Sequence, residues 1–208
     1  MKISPELNFT LTVFSGLCWT IVYVLIIYRS FKDKTYGMPF WALAFNISWE
    51  FIFSAVFKST DTTQLIVNHV WLAFDIVIVI CYFVYGRKDW SQSVSRAYFY
   101  PYSILVLVSA YLFVYLFSVE FHNTDGIYIA FIQNVMMSWL FIAMLQRRGS
   151  LAGQSGGIAI FKLLGTLAPT ILYGPDHPFV LFLGCCCFVA DCIYVVMVIH
   201  FKKAGANT

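Results

Sequence analysis

The chain has 208 residues, 61% of them hydrophobic and 11% charged. A soluble domain carries roughly 25% charged residues, so this chain cannot cover a water-facing surface, and its solvent is lipid. That excludes a soluble enzyme and a nucleic-acid-binding module, and the length suits one compact bundle over residues 1–208.

The first apolar run, 8–28, ends at Arg29 without a small-residue cleavage site, and reads as a retained helix. Arg29, Lys32 and Lys34 follow it. The second span, 39–57, starts at Pro39 and carries Asn46, Trp49 and Glu50. The third, 66–85, carries Asn68, Trp71 and Asp75, and Arg87, Lys88 and Arg96 follow. The fourth is 99–119, with Pro101 near its start. The fifth, 126–146, has Gln133 and Asn134 in its outer half and ends on Arg147 and Arg148. The sixth, 157–173, contains Pro169, which predicts a kink, and Lys162 near its basic end. The seventh, 178–200, begins at Pro178, carries Asp191 and Tyr194, and runs into Lys202 and Lys203. Proline costs little at helix starts, and each run is close to the roughly 20 residues a span needs.

The expected fold is therefore all-α: a polytopic membrane protein of seven transmembrane helices. Ten of the thirteen basic residues fall on alternate connections, which places the N-terminus outside and the C-terminus in the cytoplasm. Asp75-Ile-Val-Ile-Val in helix 3 parallels Asp191-Cys-Ile-Tyr-Val in helix 7. That similarity is compatible with a three-plus-one-plus-three internal repeat.

Three acids, Glu50, Asp75 and Asp191, lie near the middle of their spans. Each costs roughly 2.5–3.5 kcal/mol there on insertion scales. An acid in this position either locks helices by hydrogen bonding or lines a polar cavity, and three at similar depth favour a shared cavity. Asn46, one turn from Glu50, and Tyr194, three residues after Asp191, are expected beside it, with Trp49, Trp71 and Asn134 in its wall. Desolvation and a second carboxylate both favour the neutral, proton-bearing carboxyl, the form that can act as an acid. The aromatic surroundings suit a cation.

Other patterns carry less. The six cysteines sit inside apolar runs and give no disulfide framework. Gly153-Gln-Ser-Gly-Gly fits Gly-x-Ser-x-Gly, but in a loop without a strand or a histidine partner it reads as chance. No aspartate-rich diphosphate motif and no His-Glu-x-x-His is present. The residues alone leave two functions open. One is acid chemistry on a lipophilic compound. The other is a transporter of the three-plus-one-plus-three type, with Asp75 and Asp191 as a symmetric site. A non-catalytic scaffold leaves three mid-membrane acids without a purpose.

Ser30-Phe-Lys-Asp-Lys-Thr-Tyr-Gly-Met38, running into Asn46-Ile-Ser-Trp-Glu50, resembles the first loop and second helix of the membrane-bound terpene cyclases. These are the small seven-helix enzymes of fungal meroterpenoid and indole-diterpene pathways, the paxilline type among them. Gly165-Thr-Leu-Ala-Pro169 and Asp191-Cys-Ile-Tyr194 extend the similarity. The resemblance implies an isomerase or lyase that protonates a prenylated substrate, commonly at a terminal epoxide, and lets alkenes attack in series. It implies no cofactor and no metal, and it places the essential acids on Glu50 and Asp191. The implied partners are the lipid bilayer, a lipophilic prenylated substrate, and an upstream prenyltransferase and epoxidase. The implied location is a multi-pass membrane protein, of the endoplasmic reticulum in a fungus or the cell membrane in a bacterium.

Overall fold

The computed structural model describes residues 4–59, 62–91 and 93–206. Among these, seven α-helices carry the fold: α1 (Pro5–Asp33), α2 (Phe40–Phe51), α3 (Thr62–Tyr85), α4 (Phe99–Glu120), α5 (Ile127–Arg148), α6 (Gly156–Tyr173) and α7 (Pro178–Ala206). Six of them are long and apolar enough to cross a membrane. The shorter α2 is extended by a π-helical turn, Ile52–Val56. Phe9, Leu105, Leu116, Phe182 and Val196 point outward and exposed from their helices, which is an outer surface made for acyl chains.

The helices form a ring in the order α1, α3, α2, α5, α7, α6, closed where α6 packs on α1, and α4 lies outside against α2. Small and branched residues make the α4 seam: Ser103, Val106, Ala110, Val114 and Ser118 recur at three- and four-residue steps and are buried. Within each half the third helix packs between the first and second, giving α1–α3–α2 and α5–α7–α6.

Pro169 does not end α6, which continues to Tyr173. A proline leaves the carbonyl four residues earlier without its helical donor. That carbonyl belongs to Gly165, and it accepts a hydrogen bond of 2.8 Å from Ser15 Oγ on α1. Gly165 allows a close crossing here, because a Cβ there would stand 3.0 Å from the Trp19 ring.

The loops at the basic end are knitted together. Arg148 donates to the carbonyls of Tyr36 and Ala152 and pairs with Asp89 at 3.0 Å. Its guanidinium lies 4.4 Å over the Tyr36 ring, and Arg147 donates to Tyr36 Oη. Arg29 pairs with Asp33 and donates to the Leu151 carbonyl. The Gly153 N–H donates to Asp33 at 2.8 Å. Gly153 has φ of +75°, and a Cβ on Gly37 would meet its carbonyl at 2.9 Å. In the same loop Ser155 caps α6, accepting from the Ile158 N–H at 3.2 Å. The Gly-x-Ser-x-Gly match is thus a helix start. Much of the Ser30–Met38 stretch belongs to this seal.

Candidate active site

Inside the ring lies a cavity of about 1250 Å³, lined from α1, α2 and its π-turn, α3, α5 and α6. Its wall includes Asn8, Lys58, Gln64, Asp125 and Tyr173 at the end opposite the basic loops, and Tyr23, Asn46 and Met137 at the floor. From Asn8 to Tyr23 is roughly 22 Å along α1, at 1.5 Å per residue. Between these ends Trp19, Trp49, Phe53, Trp71 and Phe131 supply aromatic wall, and Asn68, Gln133 and Asn134 supply polar atoms. The expected wall residues Asn46, Trp49, Trp71 and Asn134 are all present.

The wall residues are held by single directed bonds. Trp49 Nε1 donates to the Gly126 carbonyl at 3.1 Å, which ties the end of α2 to the loop before α5. Gly126 has φ of +75°, and a Cβ there would approach the Phe53 ring to 2.7 Å. Trp71 Nε1 donates to Thr20 Oγ1 at 3.1 Å, and its ring stacks on Tyr23 with centroids 6.0 Å apart. Asn134 Nδ2 donates to Thr166 Oγ1 at 3.1 Å.

Glu50 and Asp75 stand behind the floor, linked through Tyr23 and Asn46. Tyr23 Oη donates to Glu50 Oε1 at 3.4 Å. Asn46 Nδ2 donates to Asp75 Oδ2 at 2.8 Å and also contacts Tyr23 Oη. Glu50 Oε2 and Asp75 Oδ1 are buried without a hydrogen-bond partner among the described residues. Neither acid has a cation within ion-pair distance among the described residues. Tyr23 and Asn46 line the cavity, while Glu50 and Asp75 stand directly behind them. The π-turn begins two residues after Glu50, a local irregularity common at functional sites. Phe57 N–H bonds to the Ile52 carbonyl at 2.8 Å across it, and the Phe53 carbonyl accepts from Asn68 Nδ2 at 3.3 Å.

Asp191 does not join this group. It forms a buried ion pair of 2.7 Å with Lys162 Nζ, which also donates to Ser138 Oγ at 2.6 Å. Ser138 Oγ in turn donates to the Asn134 carbonyl at 2.9 Å. The reason is local: α6 and α7 are neighbours, and Lys162 faces Asp191 across their seam. Lys162 is therefore not a basic-end residue as its position six residues into α6 implied; it is fully buried. Tyr194 is also outside the cavity. One turn nearer the basic end than Asp191, it donates to Gln154 Oε1 at 2.7 Å. The sequence reading missed Tyr23, which no local pattern separates from the chain's other tyrosines. Among the described residues no three His, Cys, Asp or Glu side chains gather as a metal site requires.

A profile described as Pyr4-like transmembrane terpene cyclases matches residues 4–204. The chain belongs to this family of terpene cyclases. The Pyr4-family terpene cyclase mfmH of Annulohypoxylon moriforme is 30% identical, over 78% of this chain and 68% of that protein. Terpene cyclase pyr4 of Aspergillus fumigatus is 26% identical, over 90% of this chain and 84% of its own length. Terpene cyclase macJ of Penicillium terrestre is 27% identical, with 92% and 81% covered. No solved structure matches. The enzyme is thus an integral membrane protein whose lipid surroundings and cavity suit a lipophilic substrate.

Proposed function

We propose that this cyclase protonates the terminal epoxide or alkene of a prenyl chain in a meroterpenoid-type substrate, and that Glu50 supplies the proton. The observation that carries this is the placement of Glu50, buried and without a counter-cation among the described residues, behind the floor of a deep aromatic-lined cavity. An acid there is placed to supply a proton to a substrate held in the cavity. General acid catalysis contributes roughly 10²–10⁴-fold, and here protonation starts the whole cascade. The rings of Trp19, Trp49 and Trp71 then offer π faces to the migrating cation. The reading needs no diphosphate departure, in keeping with the absent aspartate-rich motif.

Asp191, the second acid implied by the resemblance, serves from the opposite wall. Its pair with Lys162 runs through Ser138 to the backbone of Asn134, so its role is to hold that part of the cavity in shape. Upstream, a prenyltransferase and an epoxidase would prepare the substrate. Seven spans with the N-terminus outside fit the clustering of basic residues on the sealed end. The packing order, repeated in α1–α3–α2 and α5–α7–α6, favours a duplicated three-helix unit joined by α4. A transporter with Asp75 and Asp191 as a symmetric site finds no support in acids whose partners differ so completely.

The test is to incubate membranes containing the full chain with a phenol bearing a farnesyl chain with a terminal epoxide. The expected result is an isomeric product of unchanged mass, lost in Glu50→Gln at matched expression. Near-normal product from Glu50→Gln would remove Glu50 as the proton source, and uptake into vesicles without conversion would revive the transporter. Tags at the two termini that report the same side of the membrane would refute the topology.

A further inference from the structure

Glu50 and Asp75 do not themselves line the cavity; the polar groups of their network that do are Tyr23 and Asn46. Asn46 presents an amide, which has no acidic proton to give. Tyr23 is the deepest residue of α1 that the cavity reaches, and it carries a hydroxyl, which can give a proton. Its ring is fixed on two sides, stacked on Trp71 and tilted against Phe74 with centroids 5.8 Å apart. Its oxygen is touched by Asn46 Nδ2 and lies 3.4 Å from Glu50 Oε1. A phenol oxygen can accept from two donors while its own O–H points elsewhere. The geometry points to Tyr23 as the group that touches the substrate and hands over the proton, with Glu50 recharging it from behind.

This rests on the proposed role of Glu50 and adds a step between it and the substrate. The Tyr23 O–H bond breaks and the proton goes to the epoxide oxygen. The epoxide C–O bond breaks with it, leaving a hydroxyl and a carbocation. The Glu50 O–H proton passes to the Tyr23 oxygen, so the phenol is restored and Glu50 is left as a carboxylate. Alkene π pairs then form the ring bonds. The last cation loses a C–H proton, whose bonding pair becomes the product alkene. That proton returns to the Glu50 carboxylate, so substrate and product are isomers. The 3.4 Å separation tightens when a substrate oxygen draws the hydroxyl, as catalytic hydrogen bonds commonly do on binding. Asn46 keeps the phenol oxygen in register: its amide bridges Tyr23 and Asp75, so Asp75 acts by positioning.

The experiment compares Tyr23→Phe, Glu50→Gln and the unmodified enzyme in membranes with the epoxyfarnesyl phenol above. It also includes enzyme with 3-fluorotyrosine in place of Tyr23. Tyr23→Phe keeps the ring and its stacking. It should lower kcat by roughly 10²-fold or more with KM unchanged, the signature of an interaction made only in the transition state. The fluorinated phenol, a stronger acid of nearly the same shape, should turn over faster than the native enzyme. Three results overturn the assignment. Near-normal kcat in Tyr23→Phe with Glu50→Gln inactive means that Glu50 reaches the substrate itself, and the proposed function survives. A dead Tyr23→Phe whose fluorotyrosine counterpart matches the native rate means that the hydroxyl is only structural. An active Glu50→Gln removes the proton source and the relay together.

Discussion

The helix groups α1–α3–α2 and α5–α7–α6 each carry an acid midway along the central helix, Asp75 and Asp191, and give it different partners. In α1–α3 the acid is Asp75, and the second helix answers with Asn46, a neutral amide. In α5–α7 the acid is Asp191, and the second helix answers with Lys162, a full counter-charge. One centre has two carboxyls with no cation paired to them among the described residues, beside a large cavity; the other is neutralised and buried. At equal depth in their helices, the partner offered by the neighbouring helix makes one acid part of an uncharged network and the other half of an ion pair.

Removing the chemistry from the first centre should have the largest effect. Glu50→Gln keeps size and hydrogen bonding, so the protein should purify and melt like the parent while turnover falls roughly 10²–10⁴-fold. Breaking the second centre should register as stability. Lys162→Met leaves the buried Asp191 carboxylate uncompensated, which costs about 3–5 kcal/mol and is visible in detergent melting curves. The double variant Lys162→Met with Asp191→Leu should recover most of that loss, since well-packed apolar residues replace buried pairs at little cost. If the double variant also regains turnover, Asp191 is structural alone; persistent inactivity would show that the far wall requires the charge pair. Asp75→Asn tests the boundary between the centres. It weakens the Asn46 anchor by about 1 kcal/mol, so it should slow cyclisation far less than Glu50→Gln. The smallest effect belongs to Thr166→Val, which deprives Asn134 of its 3.1 Å partner. Stability should drop by about 0.5–1.5 kcal/mol, and any change in product ratio would mark Asn134 as a guide for the cation.

Seven helices were legible in the sequence because most apolar runs are bounded by a proline, a glycine or a basic cluster. The observed ends differ mainly where α1 and α7 extend beyond the apolar stretch and where α2 passes into a π-turn. Glu50, Asp75 and Asn46 stood out because charge and amide are costly in lipid. Tyr23 did not, since one of thirteen tyrosines in an aromatic-rich membrane protein looks like any other. Lys162 was hidden by its position, close enough to the basic end for its flexible stem to be read as reaching water. That Asp191 and Tyr194 have different partners depends on how α6 and α7 face each other, which no local pattern encodes.

On the proposed reading, a chamber with its basic end closed also fixes the order of loading. Whatever enters between Asn8, Lys58 and Asp125 must thread its hydrocarbon tail first if the far terminus is to reach Tyr23. The polar head then stays near the rim, and ring closure proceeds from the bottom of the chamber toward the mouth. Chain length should govern whether the reaction starts, and the head group chiefly how tightly the compound is held. A tail one isoprene unit too short would bind yet stay linear.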